Sequence, residues 1–474
     1  MRRLPAFLSV ALSSLVVLAC QSGGAPSPAA APTSAPAAGG AAAPTTAAPA
    51  SQPASGGAAQ PASGGEVKLG MVLPLTGNFA SLAQQNQWAA QTAVEVVNGK
   101  YPDIKVPLGP EEGLPNLGGA KINLVVRDDQ SKGELARTIA EQLVTVDKVA
   151  WIDGDTTSGN TAVIQPVAEQ HGIPMSCHPC ASPSLTDKGG KWFWRTGPND
   201  NSMIGNIFTF FKEWPQQKGP SDLKTMALFS CDNLFCQDGR KIVLDQAPKN
   251  GFQLVSDITT KTGATTFSSE VQQLQSANPD VLFLIQYPPE TIVFEADAKR
   301  AGWMPKLVMT NNGSYSDEEW LQAQKKTNGG VGWMGRDPIA TDLAAKNPSW
   351  QKVNEIYKKY SNGQNMGELA MRQFTGTIWI ADVINRAGST DPAALQKAAN
   401  DTNTPPDQLI IDYKGIKFDD HGQNSLASGV ITQIGWDGEK HTIWPFETAK
   451  SAGFDLIYPE PTWQDRDSKP KPGG

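Results

Sequence analysis

The stretch "DGDTTSGNT", residues 153–161, follows the apolar run "VAWI" and leads into "NTAVIQPVAEQHG", whose apolar spacing is that of a helix. A strand end feeding a helix start leaves backbone N–H groups free, and the helix dipole adds partial positive charge. Thr157, Ser158 and Gly159 therefore sit where a carboxylate can be held, and Ser158 can add a hydroxyl donor. The same residues also satisfy a simpler requirement. A Ser or Thr at this point caps the helix by accepting from its first N–H groups, with no ligand involved.

A second cluster with chemistry in it is "MSCHPCASPSLT", where His178 stands between Cys177 and Cys180. A thiol–disulfide exchanger needs its CxxC at a helix start on a thioredoxin-like unit, whereas "ASPSLT" reads as loop. The chain has four histidines, His171, His178, His421 and His441, so acid–base constellations are scarce, and no metal signature or phosphate loop is present. No enzyme, cofactor or metal is expected, with a thiol-redox activity of the CHPC loop as the lesser alternative. Cys177, Cys180, Cys231 and Cys236 are best read as two short-range bridges, Cys177–Cys180 and Cys231–Cys236. A zinc site from the same four is the alternative, although the CxxxxC spacing of the second pair is loose for it.

The elements that must carry these loops alternate strand and helix from Glu66 onward. "VKLGMVLPL", "AKINLVVRDD" and "VAWIDGD" have strand character, and "ASLAQQNQWAAQTAVEVVNG" and "ELARTIAEQLVTVD" have helical spacing. The pattern implies a parallel sheet covered on both faces. A Pro- and Gly-rich section from Asn98 to Ala120 interrupts it. After "WFWRTGPND" the pattern starts again, with "TMALFS", "FQLVSDITT", "DVLFLIQY" and "KLVMTNN" as strands between helices. Two such units in succession imply two lobes.

The N-terminus indicates export. Arg2 and Arg3 precede "LPAFLSVALSSLVVLAC", which is too short and wrongly flanked for a stable membrane span. Val17, Leu18 and Ala19 before Cys20 form a lipobox, so residues 1–19 are expected to be removed and Cys20 to carry lipid into the membrane. Residues 21–65 contain Ala, Pro, Gly, Ser, Thr, Gln and no charge. Such a segment cannot bury enough apolar surface to order itself, and as a flexible coil it would reach roughly 35–40 Å. Loss of Arg2 and Arg3 changes the formal charge from −7 to −9. A mildly acidic body without a basic cluster argues against a nucleic-acid partner.

Six phrases, "GMVLPLTGNFA", "LVVRDDQS", "DGDTTSGNTAVIQPVAEQHGIPM", "RTGPND", "INRAGSTDPAALQKA" and "IKFDDHGQ" through "WDGEKHTIWP", fall in one order and spacing. In this the chain resembles the leucine/isoleucine/valine-type periplasmic binding proteins, the substrate-binding components of ABC importers, from about Glu66 to about Pro445. The resemblance implies an α/β fold of two Rossmann-like lobes with parallel-sheet cores joined by three crossovers. Lobe I would comprise residues 66–198 and 335–413, and lobe II residues 199–334 and 414–450, with 451–474 as a C-terminal tail. A crossed disulfide pairing would then tie one lobe to the other and oppose hinge closure. The implied partners are a small-molecule solute and a membrane permease with its ATPase; a ligand-sensing receptor would use the same body.

The resemblance also implies a ligand set. Ser158 matches the serine that binds the ligand carboxylate, with Thr157 and Gly159 beside it, and Leu82 joins the cleft from the first helix. Cys180 and Ala181 fall on the second ligand loop, after Pro179, and Tyr287 and Phe374 match aromatic contacts. Phe235 stands where the family has a tyrosine. Asn312 stands where its amino-acid binders place a carboxylate for the ligand ammonium. Asn cannot neutralise a buried cation, so the implied solute widens from an amino acid to a related small acid or amide.

Overall fold

The computed structural model describes residues 64–217 and 219–473. The export segment, Cys20 and the tether up to residue 63 lie outside the described residues. Strands β1 (Glu66–Leu73), β2 (Lys121–Asp128), β3 (Trp151–Asp153), β4 (Met175–Ser176) and β5 (Phe193–Trp194) form a sheet of order β2-β1-β3-β4-β5. All its pairings are parallel. Alternation along β1 sends Val67 and Leu69 to one face and Val72 to the other. The first face packs on the helices Ala80–Asn98 and Glu368–Ala387 through Ala89, Ala93, Phe374 and Ile378. The second packs on Ile139, Ile164 and Val167 from the helices Gly133–Gln142 and Ser158–His171. The expected irregular section is not idle, because Ile104, Val106, Leu114 and Leu117 are buried in the first of these cores.

The second sheet holds β6 (Thr225–Cys231), β7 (Gln253–Thr260), β8 (Val281–Ile285), β9 (Leu307–Thr310), β10 (Met334–Asp337), β11 (Val430–Ile434) and β12 (Lys440–Trp444). Its order is β12-β11-β10-β9-β8-β6-β7, with β7 through β10 parallel and β10, β11 and β12 antiparallel. Met226 and Leu228 face a core shared with the helices Asp200–Glu213 and Leu234–Lys249. Ala227 and Phe229 face Val271 and Phe294 on the opposite side. Both sheets are thus covered on both faces, as a doubly wound α/β fold requires.

The chain passes between lobes three times, and two of the expected boundaries move. The passage after β5 leads into the helix Asp200–Glu213, close to the expected position. β10 still belongs to the second sheet, so the return to lobe I follows Asp337 instead of preceding residue 335. The last passage lies just before β11 and not at Lys414, because Ile410 and Ile416 are buried in the lobe I core. Gln423 also bonds Arg195 side chain to side chain, and the Asn424 N–H donates to the Arg195 carbonyl. "GIKFDD" has strand character, but Ile416 and Phe418 take part only in isolated bridges to Thr404 and Asn424.

Residues 453–473 are a docked element, not a loose tail. Trp463 Nε1 donates to the Trp303 carbonyl at 3.0 Å, and Glu460 Oε1 accepts from the Val308 N–H at 3.1 Å. Arg466 donates to Glu460 Oε2 at 2.7 Å and to the Val331 carbonyl at 2.6 Å, with both charged side chains buried. The apolar spacing here is weak because tryptophan and one buried ion pair, in place of an amphipathic stripe, hold the segment down. The cysteines pair as Cys177–Cys180, with Cα atoms 5.6 Å apart, and Cys231–Cys236, at 5.3 Å, one bridge in each lobe.

Candidate ligand cleft between the lobes

The carboxyl ends of β3, β4, β6, β8 and β9 open toward one another, and the loops that follow them meet in a cavity with a void of about 30 Å³. Lobe I contributes Leu82, Thr156, Ser158, Pro179, Cys180, Ala181, Leu369 and Arg372, and lobe II contributes Phe235, Tyr287, Asn312, Gly313 and Ser316. Seven residues singled out from sequence are brought together here: Leu82, Ser158, Cys180, Ala181, Phe235, Tyr287 and Asn312.

Three are not. Thr157 is the cap of the helix Ser158–His171, accepting from the Asn160 N–H at 3.3 Å, and does not line the cavity. Gly159, one residue into the helix, has nothing within 4 Å of where a side chain would begin and also stands off the cavity. Phe374 is fully buried in the lobe I core. A helix turns about 100° per residue, so Leu369 and Arg372 share the face toward the cleft while Phe374, two residues on, points away. The strand-to-helix turn therefore divides its labour. Thr157 caps, which leaves the Ser158 hydroxyl at the cavity, where it accepts from the Ser182 N–H at 3.2 Å.

Sequence reasoning passed over Thr156, Gly313, Ser316, Leu369 and above all Arg372. A signal was present: Arg372 is a lone cation in the apolar run "ELAMRQFTGTIWIADVI", and a charged residue at a buried helical position calls for a partner. It is 1% exposed. Arg372 Nε lies 2.8 Å from Glu368 Oε1, one turn back, and Nη2 donates to Glu368 Oε2 at 3.3 Å. Nη1 is buried without a hydrogen-bond partner. The same Glu368 carboxylate lies 3.5 Å from Arg336 Nη1 of lobe II.

Asn312 holds φ +50° and ψ −136°, a region that disfavours side chains, at the entry to the short turn Gly313–Ser316. Its Nδ2 donates to Met203 Sδ at 3.2 Å, and its Oδ1 accepts from Ser316 Oγ at 3.4 Å. Tyr287 and Phe235 form an aromatic wall with ring centres 5.8 Å apart, and Phe79 packs on Tyr287 at 4.7 Å. Burial pushes the Tyr287 phenol well above its ordinary range, so it stays a neutral donor. Asp155 lies behind the loop, accepting from the Thr157 N–H and from Asn160; burial, with Asp129 close by, pushes its carboxyl up.

His178 does not reach the cavity. Its Nδ1 lies 2.8 Å from Thr196 Oγ1, its Nε2 is 3.6 Å from Asp153 Oδ1, and its ring faces Trp379. Burial, with the Arg372 charge adding to it, holds its pKa down at about 3, so the imidazole is neutral. Arg195 ties the second ligand loop to the crossovers, donating to the Ser182 carbonyl at 2.7 Å, the Cys180 carbonyl at 3.3 Å and Gln423 at 2.7 Å.

The lobes touch directly across this cleft. Ser81 Oγ donates to Asp317 Oδ2 at 2.7 Å, and Ser182 and Ser184 both donate to Asp238, the latter at 2.6 Å. Leu82, Ala181 and Leu369 of lobe I pack into the apolar core of lobe II. The two walls of the cleft thus stand in direct contact around the cavity.

Comparison with known proteins agrees with this fold. A Leu/Ile/Val-binding protein homolog 7 from Brucella abortus is 25% identical over 400 residues, covering 81% of this chain and 93% of that protein. The crystal structure of a leucine binding protein, LivK, from Thermotoga maritima superposes with a TM-score of 0.66 at 20% identity, covering 79% of this chain and 97% of that one. A solute binding protein of an ABC transporter from Rhodopseudomonas palustris, crystallised in complex with 3,4-dihydroxy benzoic acid, gives 0.63 at 18% identity, covering 80% and 96%. The family model for periplasmic binding proteins matches residues 66–430, and the chain belongs to that family.

Proposed function

We propose that the protein is the lipid-anchored, extracytoplasmic solute-binding component of an ABC importer, which takes up a small organic acid, amino acid or related amide between its lobes and presents the closed form to a permease and its ATPase. The observation that carries this reading is one cavity at the strand ends, walled by residues of both lobes and shut by direct hydrogen bonds between them. Each lobe supplies part of the wall, so the solute favours the closed state over the open one and shifts the population toward it. Ser158 and Tyr287 serve as donors, Leu82, Ala181, Phe235 and Leu369 as the apolar wall, and the three crossovers as the hinge. The Thermotoga and Rhodopseudomonas structures indicate that one fold serves leucine and a dihydroxybenzoate alike. Lipidated Cys20 would hold the protein at the membrane. Native mass spectrometry of the protein purified from its own membranes, paired with small-angle scattering, tests the reading. A co-purifying small solute, and compaction on adding it back to stripped protein, are expected. Absence of any solute that both raises Tm and compacts the molecule overturns it.

A further inference from the structure

We propose that Arg372 is the anchor for the ligand carboxylate and that the solute is a monocarboxylate with a flat or branched apolar body and no ammonium group. This rests on the reading of the cleft as the solute site. Arg372 is the only charged residue among the described residues lining the cavity. Its guanidinium is buried, and Glu368 occupies one side of it while Nη1 on the same group has no partner. Glu368 is itself shared with Arg336, so two buried guanidinium groups draw on one carboxylate. Of the other carboxylates nearby, Asp337 is engaged by Lys440 at 3.1 Å and Asp200 accepts from Asn311 at 2.9 Å. A buried donor left without an acceptor costs desolvation, and a surplus buried cation costs more, so both are relieved by one incoming carboxylate, which accepts in the plane of the guanidinium fork.

Among the described residues no carboxylate lines the cavity to match an ammonium. Asn312 spends its amide on Met203 and Ser316 within its own lobe. Asp155 is turned toward Thr157 and Asn160. Asp200 keeps an unpartnered Oδ2, but that atom faces Gly239, 3.3 Å from where a side chain there would begin, and Asp200 does not line the cavity. An α-amino acid would bring its positive charge into a site whose one charged wall is already positive. The apolar and aromatic part of the lining, Leu82, Ala181, Leu369, Phe235 and Tyr287, suits an apolar or aromatic body.

Matched pairs of probes test this by calorimetry. On the unaltered protein, leucine is compared with 4-methylpentanoate, which differs by the ammonium alone, and 4-hydroxybenzoate with 4-hydroxybenzamide, in which a neutral amide of similar shape replaces the carboxylate. The acid without ammonium is expected to win each comparison by at least about tenfold. Arg372→Met is expected to lower acid affinity about 30-fold or more and to erase the acid-over-amide preference, which loss of packing alone would not do. Arg372→Lys, which keeps the charge, is expected to restore part of the preference. Leucine binding as tightly as its deaminated analogue, or an acid preference that survives Arg372→Met, overturns the assignment while leaving a solute-binding cleft in place. If Arg372→Met does not fold, the two comparisons on the unaltered protein still decide. Failure of every probe to bind overturns the assignment; if the native preparation also carries no solute, the wider reading falls with it.

Discussion

Residues that look equivalent in "TTSGNT" have separate tasks, and substitution should show it. Thr157 accepts from the helix end, whereas Ser158 presents its hydroxyl to the cavity. Ser158→Ala is therefore expected to weaken solute binding by about 1.5–3 kcal/mol, roughly ten- to 150-fold, with little change in Tm. Thr157→Ala is expected to do the reverse, costing about 1 kcal/mol of stability by denaturant titration and leaving affinity nearly unchanged. Equal loss of affinity in both would mean that the whole turn, and not the Ser158 hydroxyl, holds the ligand. The strand-to-helix turn was legible in sequence because a strand end, a small-residue run and a helix start are local features. Which hydroxyl faces the cleft was not, since that depends on the lobe opposite.

Among the elements, the segment 453–473 is where pattern and structure part most clearly. Its grip depends on the buried pair Arg466 and Glu460 and on Trp463 against Trp303. Arg466→Met strands a buried carboxylate that already accepts from the Val308 N–H, and is expected to destabilise the fold by about 3–5 kcal/mol, measured by urea denaturation. A tail of no structural account would give no change. The third crossover was misplaced for a related reason. The resemblance put it near Lys414, but Ile416 is held by the lobe I core and Gln423 by Arg195 far upstream, contacts that no local window contains.

At the largest scale the two lobes meet across the cleft, and Asp238 is one of the clasps between them. Asp238→Ala removes the acceptor for both Ser182 and Ser184, so the closed state loses population and apparent affinity is expected to fall by about tenfold or more. Scattering should show a larger radius for the ligand-free variant, with little change in Tm, because each lobe keeps its own core. Stability should also depend on pH in a defined direction. Burial, only partly offset by hydrogen bonds, pushes Asp153, Asp200, Glu295, Glu318 and Glu460 up to about 7 and Asp317 to about 6. Between about pH 4, where these groups ionise in the unfolded chain, and about pH 7, the folded protein holds protons that the unfolded chain has released. Stability therefore falls as pH rises through that window. Asp280 acts at the other end: against its burial, hydrogen bonds from Lys306 and the Lys224 and Thr225 backbone hold it at about 2, and the stability it lends is lost only as pH falls below about 4. A Tm several degrees higher near pH 5 than near pH 8 is expected in calorimetric scans, and a flat or rising profile over that range would contradict the burial of these acids.

The amino-acid sequence by itself determined the repeated strand–helix units, the two lobes, the local disulfides and the loops that meet at the cleft, because periodicity, turn residues and short loop closures are encoded within a few residues of one another. Only the tertiary structure decided that Phe374 turns into a core while Arg372, on the same helix, turns to the cavity. It alone brought Arg336 of one lobe and Arg372 of the other to a single Glu368, and set Asn312 against Met203 instead of open space. The physical reason is range. Charge balance in a buried cleft is a sum over side chains from both lobes, and no stretch of sequence contains that sum.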